Sequence, residues 1–160
     1  MVVVRGAGPG RQGLLRPFEG YGYCEHNWGV QPRHSAADWL HFWGAGLAGV
    51  VLDCFYDAGV HHHYGYLWTE NGDGYVVSPS HFGFDPTDPM SGFRVRSPGI
   101  DLAVTVLTHH RNRMRIPPVI PYLDIDYHEM LVEVRGSAML PGGAVEVDAI
   151  GKYDHNFNLW

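Results

Sequence analysis

The chain has 160 residues, of which 45% are hydrophobic, 13% aromatic and 18% charged, and its formal net charge is −6. A chain of this length fits one domain, and its apolar content excludes wholesale disorder. The 17 acidic residues outnumber the 11 lysines and arginines, which argues against a nucleic-acid-binding surface. No apolar run approaches the roughly 18 residues of a membrane-spanning helix, so we expect no membrane span.

The two cysteines, Cys24 and Cys54, bear on the cellular compartment. Two thiols give no disulfide framework, and neither belongs to a Cys-x-x-Cys pair of the kind that indicates a zinc site. We therefore expect buried free thiols and a cytoplasmic protein, while a single bridge between the two cysteines stays open. Residues 1–12 also lack the apolar core of a secretion signal.

Glycine and proline recur along the chain, and the segments between them are rich in valine and aromatic residues, which is typical of antiparallel β-strands. We expect a flexible leader over residues 1–17 and a single β domain over residues 18–160. The predicted strands in chain order are Asp38–Trp43, Val50–Tyr56, His62–Glu70, Gly74–Val77, Gly99–Thr108, Tyr122–Ala138 and Ala144–Phe157. Turn residues at Asn71–Asp73 and Pro141–Gly143 predict two hairpins. Without crossover helices, these elements predict an all-β antiparallel barrel or sandwich, filled by packed side chains or one small ligand.

One short segment of the sequence is repeated. Gly22–Trp28 and Gly151–Phe157 agree in the order of a glycine, an acid, a histidine, an asparagine and an aromatic residue. The two segments are either equivalent strands of two repeated halves or the first and last strands of one barrel. Since neighbouring strand residues point to opposite faces, we expect Asp154 and His155 on opposite faces of the sheet. The same alternation separates Glu25 from His26.

The first copy of the repeat carries a resemblance to a known family. The run Glu25-His26-Asn27-Trp28-Gly29, followed by Trp39 and Trp43-Gly44, resembles the acid–basic–x–Trp–Gly signature of carotenoid 1,2-hydratases (hydroxyneurosporene synthases) and their AttH-type relatives. Tocopherol cyclases carry a similar run. The resemblance covers about Gly20–Leu52. It implies a lipocalin-like architecture, often as two consecutive domains. This chain would be either one domain of such a pair or a one-domain relative. The resemblance also implies cofactor-free hydration, cyclisation or isomerisation of isoprenoid or polyketide substrates.

The chemistry that the resemblance implies needs a proton donor in an apolar cavity. Burial raises the pKa of a carboxyl group because it disfavours the charged form, so such a group can stay protonated near neutral pH. Glu25 and Asp154 are the candidate catalytic acids, with His26 and Asn27 as candidate catalytic supports. Aromatic rings can line the cavity and stabilise a cation by about 2 kcal/mol each when water is excluded. The candidate substrate-binding aromatic residues are Trp28, Trp39, Trp43, Tyr56, Tyr66 and Trp68.

Some of these features have structural or different functional interpretations. The Glu25–Trp28 run would equally bond loop backbone groups and lock the closure of a barrel. His61 and His63 share one face of a strand and would hold a metal ion if a third ligand came from elsewhere. The candidates for that third ligand are His41, His81 and Asp53. A solvated strand edge is the plainer account of these histidines.

Charged residues also alternate along two later strands. Three arginines share one face of the first of these strands, namely Arg111, Arg113 and Arg115. Their charges would bind an anionic group of a substrate, or they would protect an exposed edge strand from aggregation. The carboxylates Glu129 and Glu133 share one face of the next strand. Two carboxylates at this spacing would suit an acid–base dyad, and cross-strand pairing with arginines such as Arg113 is the plainer account.

We therefore expect a cofactor-independent hydratase, cyclase or isomerase that acts on an apolar terpenoid or polyketide in a β-barrel pocket, with no cofactor and no metal. A non-catalytic protein that binds a hydrophobic small molecule is the alternative, and a histidine-metal enzyme is a second alternative. The expected partner is an apolar small molecule, and an exposed sheet edge favours a homodimer. An enzyme predicts a carboxyl group that points into the pocket, whereas a carrier predicts an apolar pocket with polar groups at its mouth.

Overall fold

The computed structural model describes residues 2–9, 15–22, 33–78, 80–116 and 123–159. The chain divides into two compact units, Met1–Gln31 and Pro32–Trp160. In the first unit, β1 (Val2–Pro9) and β2 (Leu15–Gly22) form an antiparallel ladder. We expected residues 1–17 to form a flexible leader without strands, and β1 lies within these residues. The run of valines near the start of the chain favours the extended backbone of a strand.

The second unit is an antiparallel sheet. Its strands, counted over the described residues, are β3 (His34–Gly44), β4 (Leu47–Tyr56), β5 (His61–Thr69), β6 (Gly74–Val77), β7 (His81–Phe82), β8 (Phe93–Ser97), β9 (Ile100–Ile116), β10 (Leu123–Leu140) and β11 (Gly143–Leu159). One turn of 3-10 helix, Asp57–Gly59, follows β4. The strands lie in the order β6-β5-β4-β3-β11-β10-β9-β8-β7, and the sheet curls into a half-barrel. The all-β antiparallel fold class is therefore confirmed.

The hairpins that the turn residues predicted are present in this sheet. β5 and β6 pair across residues 70–73, where Gly72 has a φ of 85° and its N–H donates to the carbonyl oxygen of Thr69 at 3.0 Å. A positive φ strains residues other than glycine, so this turn needs glycine at position 72. β10 and β11 pair along their whole length, from Leu140 opposite Gly143 to Asp124 opposite Leu159.

The first and last strands of the second unit are neighbours. β3 and β11 pair in antiparallel register from Gly44 opposite Ala149 to His34 opposite Leu159. This pairing brings residues from opposite ends of the unit into one region of the sheet. The second copy of the sequence repeat, Gly151–Phe157, lies in β11. Its counterpart, Gly22–Trp28, lies outside the described residues except for Gly22.

The two faces of the sheet differ in what they bury. We call the face that carries the main buried cluster the inner face, and the opposite face the outer face. All nine strands of the second unit contribute to the main cluster, whose largest fully buried side chains are Tyr153, Phe42, Leu40, Leu67, Leu102 and Met130. Burying a side chain of this size stabilises the fold by roughly 1.5–3 kcal/mol. The outer face carries a smaller buried cluster of Ala37, Leu52 and the free thiol Cys54.

A β-bulge changes the character of the inner face along β9. In the first part of β9, even-numbered residues such as Leu102 and Val104 face the core. The pairing with β10 then shifts register, so that Val106 and Thr108 oppose consecutive β10 residues. The extra residue on β9 reverses the alternation, because each strand residue points opposite to its neighbour. Beyond the bulge, the odd-numbered residues of β9, such as Arg111, lie on the same face as the core.

At Gly136 the backbone of β10 lies too close to the backbone of β9 to leave room for a side chain. The φ of Gly136 is +151°, and a Cβ atom at this position would collide with the backbone carbonyl oxygen of Asp101. Since backbone cannot move aside cheaply, we expect Gly136→Ala to lower the free energy of unfolding by about 2 kcal/mol or more. Gly142→Ala is the matched control, because a Cβ there meets nothing within 4 Å, and its effect should stay within about 0.5 kcal/mol. Urea unfolding of both variants measures the difference, and equal stabilities would contradict this packing.

Candidate functional site

A carboxylate and a histidine form a pair on the inner face. Asp38 in β3 and His155 in β11 are opposite each other in register. The Nδ1 atom of His155 lies 2.8 Å from Oδ1 of Asp38, and the same oxygen accepts a hydrogen bond from the hydroxyl group of Tyr153. A carboxylate only accepts hydrogen bonds, so Nδ1 of His155 carries the proton and Nε2 keeps its lone pair when the ring is neutral. This is the arrangement in which a carboxylate orients a histidine for proton transfer.

A second group of polar side chains adjoins this pair. His128 is buried, its ring centroid lies 5.8 Å from that of His155, and its Nδ1 atom lies 3.0 Å from Nε2 of His109. Burial lowers the pKa of His128, so its ring is neutral at pH 7. Arg111 donates two hydrogen bonds to Asp126, at 2.7 Å and 2.5 Å, which hold the pKa of Asp126 below its ordinary value.

These side chains border an open depression. Its volume is about 440 Å³, and it is lined by Pro86, Thr87, Arg111, Asp126, His128, His155 and Phe157. Volumes of roughly 300–1,000 Å³ are usual for small-molecule sites. The depression therefore has the size for one small molecule and a lining of both polar and apolar groups.

The aromatic core lies directly against the polar pair. The ring of Phe84 lies 5.0 Å from the ring of His155 and 5.1 Å from that of Tyr153, measured between centroids. Tyr153 in turn contacts Phe93 at 4.5 Å. An apolar neighbour excludes water from one side of the imidazole, and electrostatic interactions strengthen where water is excluded. The arrangement can remove a proton from a bound molecule and return it.

The predicted catalytic acid Asp154 lies on the outer face. Its place opposite to His155 is the one that strand alternation predicted. Its side chain is buried, and its register partner in β3 is Trp39. Burial raises the pKa of Asp154, while the ammonium group of Lys152, 3.0 Å from Oδ2, opposes that shift. Lys152 also lies 3.0 Å from Glu129. Asp154 is therefore an ion-paired carboxylate on the face opposite the depression.

The predicted aromatic wall is likewise on the outer face. The described members are Trp39, Trp43, Tyr56, Tyr66 and Trp68, and none of them lines the depression at His155. Tyr66 and Trp68 stack at 6.0 Å and are each about 40% exposed. These rings therefore lie on the face opposite the main buried cluster, and their role in substrate binding stays a prediction. The inner face carries Phe42, Phe82, Phe93 and Tyr153 instead.

Glu129 and Glu133 do not form the ion pairs with arginines of β9 that we expected. Glu129 pairs with Lys152, and Glu133 lies 3.4 Å from Arg135 of its own strand rather than from an arginine of β9. The arginines that follow the bulge pair with aspartates at the start of β10, since Arg113 lies 3.9 Å from Asp124 and Arg115 lies 3.5 Å from it. The basic face is thus matched by acids across the strand pair.

The remaining predicted site residues lie outside the described residues. They are Glu25, His26, Asn27 and Trp28. Their roles stay predictions, and so does the orientation of Glu25 on which the expected chemistry depended.

The histidines of β5 meet one of the three predicted third ligands. Ligand atoms of Asp53, His61 and His63 all lie within 4.8 Å of one another. The other two candidates lie elsewhere, since His41 is on the outer face and His81 is in β7. These residues could hold a metal ion.

Sequence reasoning missed Asp38 and gave His155 no catalytic role. The sequence repeat did single out the segment that contains His155. The partner could not be found, because Asp38 is 117 residues away and reaches His155 only through the pairing of β3 with β11.

Comparison with protein-family models finds no matching family, and no curated protein matches the chain. The resemblance to carotenoid 1,2-hydratases therefore stays a hypothesis. In the part of the chain that the structure describes, no helix has the length and apolar character needed to cross a membrane.

His41 offers a test of the burial on the outer face. It is 5% exposed and opposite Lys152 in register, and burial together with the lysine charge lowers its pKa to about 4. In the unfolded chain its pKa is 6.5, so between pH 6.5 and 4 the unfolded state binds a proton that the folded state does not. This group therefore removes stability as the pH falls through that window.

We expect His41→Gln to lose less stability than the wild type between pH 7 and pH 4.5. Glutamine keeps a polar side chain of similar size but does not titrate. The free energy of unfolding in urea, measured for both proteins at several pH values, gives the two slopes. Parallel slopes would show that His41 is not buried as a neutral ring.

Proposed function

We propose that this protein is an enzyme that transfers protons on a small, partly apolar molecule bound in the inner-face depression. The reaction class is the addition or removal of water or the shift of a double bond, and it needs no cofactor. The observation that carries the proposal is the hydrogen bond between Asp38 and His155, because His155 lines the depression.

His155 is proposed as the group that accepts and returns the proton. Asp38 holds its Nδ1 atom and leaves Nε2 as the proton acceptor, which is the role of the carboxylate in acid–base catalysis by histidine. The positive charge that develops on the ring is stabilised by the same carboxylate. Such a positioned base contributes typically about 10²–10⁴-fold to the rate.

The nature of the base narrows the substrate class. Protonating an unactivated alkene needs a stronger acid than an imidazolium ion, whose ordinary pKa is about 6.5. A proton next to a carbonyl group is far easier to remove. Of the two substrate classes that the resemblance implies, the site therefore favours a polyketide-like carbonyl compound over a hydrocarbon terpenoid. Arg111, which lines the same depression, is the proposed cation for the negative charge that develops on the carbonyl oxygen.

Deuterium exchange tests this function and does not require the product to be identified first. The probes are short β-hydroxyacyl and β-ketoacyl thioesters, with acyclic isoprenoid alcohols for comparison, incubated with the full chain in D₂O. We expect the thioesters to gain deuterium next to the carbonyl group and to exchange water where a β-hydroxyl is present. Mass spectrometry measures both changes.

Three variants assign the activity to the pair. His155→Gln is expected to lower the exchange rate by about 10²–10⁴-fold, and Asp38→Asn to lower it by a smaller factor at unchanged KM. His110→Gln is the control, since His110 precedes Arg111 and points to the other face of β9. Circular dichroism checks that each variant is folded.

Two results would contradict the proposal. Exchange that persists in His155→Gln would remove the pair from catalysis. Stoichiometric binding of a probe without exchange in the wild type would favour the carrier, which is the non-catalytic alternative.

A further inference from the structure

A second polar cluster lies on the inner face, at the end of β4 and the start of β5. Asp53 and His63 are opposite each other in register, and His61 lies two residues before His63 on the same face. Oδ1 of Asp53 accepts a hydrogen bond from Nε2 of His61 and lies 3.9 Å from Nδ1 of His63. Two imidazoles thus converge on one carboxylate oxygen.

The surroundings hold this cluster in place and leave it accessible. The Asp53 side chain is only 12% exposed, whereas those of His61 and His63 are 35% and 34% exposed. The ring of Phe55 stacks on the ring of His61 with a centroid distance of 3.9 Å. The carboxylate therefore forms the floor of the cluster, and the two rings form walls that open to solvent.

We propose that Asp53, His61 and His63 bind a divalent transition-metal ion such as zinc. Two imidazole nitrogens and one carboxylate oxygen are ligands that zinc prefers. Three protein ligands leave one position for water or a substrate, which is the pattern of catalytic rather than structural zinc sites. Hard cations such as Mg²⁺ prefer oxygen ligands and do not suit this set.

The positions of the ligand atoms are close to those that an ion requires. Ligand atoms of a tetrahedral zinc ion with bonds of about 2.0–2.1 Å lie about 3.3 Å apart. In the structure the ligand atoms lie within 4.8 Å of one another. Rotation of the two histidine side chains would bring them to the spacing of a zinc site, and the ion would replace the proton between His61 and Asp53. Asp38, opposite Asp53 in the register of β3 and β4, adds negative charge on the same face.

Metal binding to the full chain without an affinity tag is the direct test, and it does not depend on the proposed function. The protein is first treated with a chelator, and Zn²⁺ is then titrated in competition with a chromophoric chelator. We expect one zinc ion per chain, no displacement by millimolar Mg²⁺, and visible absorption bands of a four-coordinate ion when Co²⁺ replaces zinc.

His62 provides a matched control within the same run of three histidines. It points to the outer face, where its ring contacts Tyr56 edge-on at 5.4 Å. We expect His62→Ala to change the zinc affinity by no more than about twofold. His61→Ala, His63→Ala and Asp53→Asn should each weaken it by roughly 100-fold or more, which exceeds the usual effect of replacing a residue that only supports a ligand. Circular dichroism checks the fold, and the Co²⁺ spectrum of the wild type tests the geometry without any substitution.

Two outcomes would overturn the inference. The wild-type chain has no such site if it binds less than one equivalent of zinc, or if its zinc affinity is no higher than that of the Asp53→Asn variant. Equal losses for His61→Ala, His62→Ala and His63→Ala would show that the histidine run binds zinc as a flexible peptide does.

Discussion

The hydroxyl group of Tyr153 joins the apolar core of the sheet to its polar end. The ring is completely buried and contacts Phe82, Phe84 and Phe93. Burial, together with the neighbouring carboxylate of Asp38, raises the pKa of the hydroxyl group, so it remains protonated and donates its hydrogen bond to Asp38. A partly buried carboxylate needs hydrogen-bond partners, and the bonds from Tyr153 and His155 satisfy one oxygen of Asp38. The position of the histidine therefore depends on the packing of the core beneath it.

The change from core to site along the inner face follows from the bulge in β9. Without the extra residue, the arginines after the bulge would point to the outer face, away from Asp126 and His128. With it, Arg111 and Asp126 form a bidentate ion pair at the wall of the depression. Bulges commonly redirect side chains beside functional sites. The proposed proton-transfer pair and the proposed metal ligands lie on this same face, because Asp38 and Asp53 are register partners in β3 and β4.

The sequence predicted the fold class and both hairpins because these depend on local patterns. Turn residues at 71–73 and 141–143 and the alternation around Trp39 are visible in short windows. The site depended on longer-range facts. The pairing of β3 with β11 joins residues 117 apart, the bulge reverses the faces of β9, and the inward face of the sheet is set by the whole curl. Alternation correctly placed Asp154 and His155 on opposite faces, but it could not show which of the two faces carries the main buried cluster.

The tautomer of His155 tests the central claim that Asp38 orients this ring for proton transfer. Nitrogen chemical shifts of the imidazole, measured by NMR on the full chain at a pH where the ring is neutral, distinguish the two tautomers. The hydrogen bond to Asp38 predicts that Nδ1 carries the proton and Nε2 does not. A neutral ring protonated at Nε2, as is usual for a histidine in water, would contradict the claim.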